Sequence, residues 1–212
     1  MVKFPGSFSG SSYKWLLPLA GLLFLASILF FAQRTLSSSS TLTVGDVQTV
    51  VFGEVGGDFT LMQGDKSVSL SDFPGKAVVI YFGFASCPDV CPTTLGLVSA
   101  SLKALTAEEI DQVQPIFISV DPERDKGQML MDYARYFHPK MIGITGAPDE
   151  VKQVAKKYNA LFYKEKLSDS AMAYTVNHTS KTYVISKNGQ SMQILPHSMT
   201  KPELLASIRA AL

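Results

Sequence analysis

Two apolar runs joined by a helical pattern restrict the folds open to this chain more than any other feature. Residues Ala77–Phe82 (AVVIYF) and Pro115–Val120 (PIFISV) are apolar almost throughout and carry no charge. Strands of this kind are typical of parallel sheets that are buried on both faces. Between the runs, apolar residues recur at helical spacing, at Leu95, Val98, Leu102 and Leu105. The pattern predicts a β-α-β unit with parallel strands.

The elements around this unit complete a mixed sheet. We predict a hairpin of Phe59–Met62 with Ser67–Leu70, helices over Met129–Phe137, Asp149–Tyr158 and Lys201–Leu212, short strands at Ile142–Thr145 and Leu161–Tyr163, and a final hairpin of Thr182–Ser186 with Ser191–Leu195. The last hairpin turns at Asn188-Gly189, a strong turn signal. This order predicts a thioredoxin-like α/β fold, a central mixed sheet flanked by helices, in one domain of residues 56–212.

The start of the chain predicts a membrane anchor. Residues 15–33 contain no charged side chain and would form a helix about 28 Å long, close to the ~30 Å thickness of the bilayer core. A cleaved signal peptide usually has a shorter apolar core, and a buried helix beside the serine-rich segment that follows would have nothing nearby to pack on. Lys3 and Lys14 precede the span, so we expect residues 1–14 in the cytoplasm. Residues 34–55 would form a tether, with the domain in the periplasm or the mitochondrial intermembrane space.

The charge balance disfavours one class of partner. The formal net charge is +1, from 19 basic and 18 acidic side chains, and no block of Lys or Arg occurs. Nucleic-acid binding needs a concentrated basic patch, so we expect no nucleic-acid partner.

Both cysteines of the chain lie in one turn, Cys87-Pro-Asp-Val-Cys91-Pro92. Pro92 suits the first turn of a helix, so the cysteines lie at a helix N-terminus, where amide groups and the helix dipole stabilise thiolate. At a spacing of four residues the two sulfurs share one face and could form a disulfide or bind a soft metal. An inert staple is the weaker alternative, because a domain of this size can bury a core without one.

Two enzyme classes fit the cysteine turn poorly. A thioredoxin-type reductase normally has two residues between its cysteines and a proline before a later strand, whereas this chain has three residues and no proline between Pro148 and Pro196. A peroxidase would use a single activated cysteine, commonly near a threonine.

A histidine is predicted to reach the same place. His178 precedes the strand Thr182–Ser186, whose amino end should face the cysteine turn. Cys87, Cys91 and His178 would then supply two sulfurs and one nitrogen, a set that suits Cu(I) or Cu(II), whereas zinc would normally need a fourth ligand or water. His138 and His197 have no cysteine nearby in this layout, and we interpret both as structural or exposed.

From about Asp58 onward the chain resembles the Sco/SenC copper proteins, which insert copper into cytochrome c oxidase. The resemblance lies in Tyr81-Phe-Gly-Phe, Cys87-Pro-Asp-Val-Cys-Pro-Thr-Thr, Ser119-Val-Asp-Pro-Glu-Arg-Asp125, Gly143-Ile-Thr-Gly146 and Val176-Asn-His-Thr. It implies that Cys87, Cys91 and His178 bind one copper ion.

The resemblance also bears on residues around these ligands. It implies that Asp121 and Asp125 shape the site or help a partner to dock, although their interpretation as turn and capping residues is slightly favoured. Asn177 departs from the family, which often has Asp immediately before the histidine. This difference affects the surroundings of the ligands and leaves the ligands themselves intact.

These observations favour a membrane-anchored copper chaperone over an enzyme, although the cysteine pair leaves a thiol–disulfide oxidoreductase activity open. The resemblance implies delivery to the dinuclear copper site of cytochrome c oxidase subunit II. The polar stretch Lys164–Ala171 is predicted to be a mobile loop that lets His178 yield. The alternative is a thiol–disulfide reductase that keeps the acceptor cysteines reduced through Cys87 and Cys91. A copper or redox sensor is a third possibility.

Overall fold

The two apolar runs form neighbouring strands at the centre of a sheet. The computed structural model describes residues 47–168 and 173–212. In this part of the chain the strands are β1 (Gln48–Val51), β2 (Thr60–Gln63), β3 (Lys66–Ser69), β4 (Ala77–Gly83), β5 (Val113–Ser119), β6 (Ile142–Ile144), β7 (Phe162–Lys166), β8 (Tyr174–His178), β9 (Thr182–Ile185) and β10 (Ser191–Leu195). The helices are α1 (Val90–Leu102), α2 (Ala107–Asp111), α3 (Gly127–Phe137), α4 (Pro148–Lys157) and α5 (Lys201–Ala211).

The central sheet is mixed, as the sequence predicts. Among the described residues, six strands are arranged in the order β1-β10-β9-β4-β5-β6. Strands β4, β5 and β6 run parallel, and β9 runs antiparallel to β4, with Thr182 opposite Tyr81. Helix α5 packs against α1, β4 and β9, and α3 packs against β6. The predicted α/β architecture is therefore confirmed.

Strand β4 divides the core into two aromatic groups, because successive side chains point to opposite faces of a sheet. All seven of its residues are buried. The Phe82 ring packs with Tyr158 and Tyr183, with ring centroids 5.6 Å and 5.7 Å away. The Tyr81 ring stacks with Phe117 on the other face, at 6.4 Å. That second face is the one that receives the cysteine turn.

The first strand lies within the predicted tether. The sequence predicts a tether over residues 34–55, but Gln48–Val51 is hydrogen-bonded along β10, with Gln48 opposite Ile194. The sheet therefore begins at residue 48. Three of the four residues of β1 are exposed, so the sequence has no apolar pattern that would predict this strand.

The predicted mobile loop is also corrected in part. Lys164–Lys166 belongs to β7, which pairs antiparallel with β8, and Phe162 lies opposite His178. His178 therefore ends a strand of its own instead of leading directly into β9. Residues 169–172, within the predicted loop, lie outside the described residues.

The predicted membrane anchor cannot be compared with the fold, because residues 15–33 lie outside the described residues. Within residues 47–168 and 173–212, no helix has both the length and the apolar character needed to cross a membrane.

Close contact between α3 and β6 depends on a glycine. A Cβ placed on Gly143 would lie 2.5 Å from the Leu130 carbonyl oxygen and 3.1 Å from the Ala134 Cβ. Real side chains do not approach backbone this closely, so only glycine permits the helix to lie against the strand. Gly96 in α1 is the opposite case, because nothing lies within 4 Å of a Cβ built there.

We expect Gly143→Ala to destabilise the domain by about 1–3 kcal/mol, the usual range for overpacking. The matched change Gly96→Ala should stabilise it by roughly 0.5–1 kcal/mol, because alanine is the better helix former and meets no neighbour. Denaturant unfolding of both variants measures the difference. Equal stabilities for the two variants would contradict the close packing of α3 on β6.

Candidate metal centre

The cysteine turn connects β4 to α1 at the carboxyl end of β4. Cys91 lies in the first turn of α1 and is fully buried, whereas Cys87 is partly exposed. Both cysteines are free, and the Cys91 backbone amide donates a hydrogen bond to Cys87 Sγ at 3.4 Å. An amide at a helix N-terminus favours a negative charge on the acceptor, so Cys87 is the sulfur best placed to exist as thiolate.

Gly83 makes room for the buried sulfur. A Cβ at this position would lie 2.8 Å from Cys91 Sγ and 3.0 Å from the Phe117 ring. The last residue of β4 therefore lacks a side chain where Cys91 packs directly on the strand. The Tyr81 hydroxyl donates to the same sulfur at 3.9 Å, and burial raises the pKa of Tyr81, which keeps this donor protonated.

His178 meets the sulfurs from the other side of the site. Its Nε2 lies 3.3 Å from Cys91 Sγ, and ligand atoms of Cys87, Cys91 and His178 all lie within 4.8 Å of one another. The imidazole is held edge-on by the Phe84 and Tyr81 rings, with centroids 5.8 Å and 6.2 Å away. The structure thus brings together the three residues that the sequence selects.

The histidine presents the correct nitrogen to the site. His178 Nδ1 lies 3.2 Å from the Thr179 carbonyl oxygen. A carbonyl oxygen can only accept, so this bond requires the proton on Nδ1. In the neutral imidazole the lone pair then lies on Nε2, which faces the sulfurs, and the second ring nitrogen is oriented as it is in most metal-binding histidines.

The two thiols differ in acidity. The hydrogen bond from the Cys91 thiol, reinforced by backbone amides, lowers the pKa of Cys87. The same hydrogen bond, together with burial, raises the pKa of Cys91. In the reduced, metal-free pair these shifts favour the proton on the buried sulfur and the negative charge on the exposed one. A soft metal that binds both sulfurs must displace the Cys91 proton.

The two aspartates after β5 do more than form a turn. Their side chains are fully buried. Asp125 Oδ2 accepts hydrogen bonds from the Ala85 amide at 2.6 Å and from Ser119 Oγ at 2.7 Å, which ties the cysteine turn to the end of β5. Burial raises the pKa of Asp125. The backbone turn was foreseen, because the Asp125 amide donates to the Asp121 carbonyl, but these side-chain roles were not.

Asn177 lies beside His178 on β8 and turns to the neighbouring strand. Its Nδ2 donates to Glu165 Oε2 at 2.7 Å. An aspartate at this position would place a second negative charge against Glu165. Asn177, where the family often has Asp, therefore avoids a repulsion between two carboxylates and donates a hydrogen bond to Glu165 on β7.

The other two histidines lie outside the metal-ligand group, as expected. His138 is buried, and its Nδ1 accepts a hydrogen bond from the Lys140 amide at 3.2 Å. His197 Nδ1 lies 3.2 Å from Thr94 Oγ1. Among residues 47–168 and 173–212, the group of side chains that could hold a metal ion comprises Cys87, Cys91 and His178.

A family model, curated relatives and solved structures all relate this chain to the same family. The family model SCO1/SenC matches residues 48–212. An SCO2-like protein of Rickettsia conorii is 35% identical over 157 residues, which cover 74% of this chain and 76% of the relative. The crystal structure of Arabidopsis thaliana ScoI with copper bound is 35% identical, covers 74% of this chain and 97% of that chain, and superimposes with a TM-score of 0.66.

A further solved structure concerns BsSco, a member of the Sco family of cytochrome c oxidase assembly proteins in which a disulfide switch was identified. It is 25% identical, covers 78% of this chain and 95% of that chain, and superimposes with a TM-score of 0.59. The resemblance seen in the sequence is confirmed, and the match begins at β1 rather than near Asp58. This chain belongs to the SCO1/SenC family.

Proposed function

We propose that this protein is a copper chaperone in which Cys87, Cys91 and His178 hold one copper ion as cargo. The observation that carries the proposal is the convergence of their ligand atoms within 4.8 Å, with His178 Nδ1 directed at the Thr179 carbonyl oxygen and Nε2 facing Cys91 Sγ. Two thiolates and one imidazole form a set that suits copper, whereas a closed zinc site needs four ligands. The copper bound to the Arabidopsis relative supports the same assignment.

The burial of the ligands supports a carrier rather than a permanent metal site. Cys91 is fully buried, but Cys87 and His178 are partly exposed. A partner protein can therefore approach two of the three ligands. Three ligands also leave room in the coordination sphere for an incoming ligand, so copper can pass to the partner without first becoming free.

The acceptor in this proposal is cytochrome c oxidase, at the copper site of subunit II. Support comes from the family, since BsSco is described as a member of the Sco family of cytochrome c oxidase assembly proteins. Residues 15–33 would anchor the chain in the inner membrane, with the domain on the periplasmic or intermembrane-space side. A tethered carrier reaches a high effective concentration near a membrane-bound acceptor.

Replacing the histidine tests the ligand assignment. We expect His178→Ala in the purified full-length chain to weaken copper binding by at least about a hundredfold, since loss of even an outer partner of a ligand commonly costs about 10–100-fold. His197→Ala, which removes a histidine outside the group, should retain copper. Copper content after dialysis against a competing chelator measures both. Equal copper retention in the two variants would rule out His178 as a ligand.

The free cysteine pair supports a second candidate function, reduction of the acceptor disulfide. In this reaction the Cys87 thiolate attacks one sulfur of the partner disulfide and releases the other as a thiolate. Cys91 then loses its proton and attacks the mixed disulfide, which oxidises this chain and reduces the partner. The partly exposed Cys87 is suited to the first attack, and the buried Cys91 to the second.

Thiol alkylation tests the division of labour between the cysteines. In the metal-free reduced protein we expect iodoacetamide to modify Cys87 at least about tenfold faster than Cys91, because the Cys91 side chain is 0% exposed. Peptide mass spectrometry at short reaction times gives the two rates. Comparable rates would mean that Cys91 is exposed as often as Cys87, and the assigned order of attack would be wrong.

A further inference from the structure

The strand that carries His178 is not part of the central sheet. Within the described residues, β7 and β8 form a separate two-stranded sheet. Four of the five residues of β7 are exposed. A two-stranded hairpin is marginally stable by itself, so its position against the cysteine turn must depend on other contacts.

Arg124, in the loop after β5, contacts both the hairpin and the site. Its Nη1 donates to the Tyr174 carbonyl oxygen at 3.1 Å, and its guanidinium carbon lies 4.0 Å from the centroid of the Tyr174 ring. The same guanidinium lies 5.8 Å from the centroid of the Phe84 ring, which in turn packs on the His178 imidazole. Its Nε bonds the buried Asp121 carboxylate.

Tyr174, the first residue of β8, completes the arrangement. Its hydroxyl donates to Asp121 Oδ1 at 2.8 Å. Asp121 is fully buried, and a buried carboxylate is costly without hydrogen-bond donors. Its two oxygens are bonded by Arg124 and Tyr174, so separating the hairpin from the loop would remove donors from a buried charge.

Strand β7 is held by the same segment. Lys164 Nζ lies 2.7 Å from Glu123 Oε1 and 4.5 Å from the centroid of the Tyr174 ring. Both strands of the hairpin thus contact residues 121–124, while Asp125 holds the cysteine turn through the Ala85 amide. The loop of residues 121–125 therefore contacts both the cysteine turn, which supplies the sulfurs, and the hairpin, which supplies the His178 nitrogen.

We propose that Asp121, Arg124 and Tyr174 form a clasp that holds His178 within reach of the cysteines. They are positioning residues and do not contact the metal. This inference rests on the proposed copper site, since it assigns to the clasp the placement of one of its ligands. It predicts that breaking the clasp releases the hairpin and the histidine while the central sheet stays folded.

Amide hydrogen exchange on the metal-free full-length chain tests the clasp without copper. In Tyr174→Phe, which keeps the ring and removes the hydroxyl, we expect amides of β7 and β8 to exchange about tenfold faster, the factor that corresponds to one hydrogen bond to a charged group. Amides of β4 and β5 should be unchanged. The control is Tyr163→Phe on the same hairpin, because the Tyr163 side chain is 64% exposed and lies outside the clasp.

Arg124→Lys provides a second variant, because lysine keeps the charge but lacks the planar group that bonds Asp121 and stacks on Tyr174. Faster exchange in the hairpin alone, in both clasp variants, supports the proposal. Exchange equal to that of Tyr163→Phe, or faster exchange throughout the sheet, would overturn it.

Copper binding then tests whether the clasp acts through the histidine. Tyr174→Phe should weaken copper binding about tenfold in the wild-type background. In the His178→Ala background it should have no further effect, because the ligand that it positions is gone. An equal loss in both backgrounds would overturn the clasp. Full copper retention by His178→Ala itself would overturn the proposed function, while the exchange measurement would still report on the hairpin.

Discussion

The antiparallel pairing of β9 with β4 decides where the chemical groups of this protein lie. Because Thr182 is opposite Tyr81, the chain must enter β9 at the edge of the sheet where β4 ends. The cysteine turn leaves β4 at that edge, and the DPERD segment leaves β5 there too, since β4 and β5 are parallel. The cysteine turn, the segment after β5 and the segment before β9 therefore lie close together, although they are far apart in the sequence. The side chains on these segments determine the chemistry possible at this edge of the sheet.

The two cysteines at that edge differ in burial and in acidity. Cys91 is a core residue: it packs on Gly83, accepts a hydrogen bond from the Tyr81 hydroxyl, and has a pKa raised by burial and by its hydrogen bond to Cys87. Cys87 is held at the surface as the more acidic thiol. A carrier needs one ligand that stays with the protein and another that a partner can reach. A dithiol reductase needs the same asymmetry, because one sulfur attacks and the other resolves. The arrangement thus serves either reaction, and His178 is the group that favours copper.

Strands could be predicted from the sequence where their burial produces a recognisable apolar pattern. Strands β4 and β5 are continuous apolar runs, so their parallel pairing and the position of the cysteine turn could be predicted. The short strand predicted at Leu161–Tyr163 overlaps β7, but its extension to Lys166 and its pairing with β8 were not predicted, because the segment FYKEK is mostly exposed and has no apolar pattern. Strand β1 was missed for the same reason. The side-chain roles of Asp121 and Asp125 were underestimated, since Asp-Pro forms turns in any context and only the fold reveals that both carboxylates are buried.

The hairpin also explains how His178, the proposed third ligand, can be both close to the sulfurs and separable from them. Had His178 lain within the central sheet, moving it would have required breaking the ladder that holds β4 and β9 together. On a hairpin outside that sheet, its position depends on a few side-chain contacts, and these can break without unfolding the core. The pairing of Asn177 with Glu165 fits this arrangement, since it joins the two strands to each other without adding charge beside the ligand. If the proposed clasp opens, we expect the hairpin to move as one unit, so that the imidazole leaves the sulfurs while β7 and β8 remain paired.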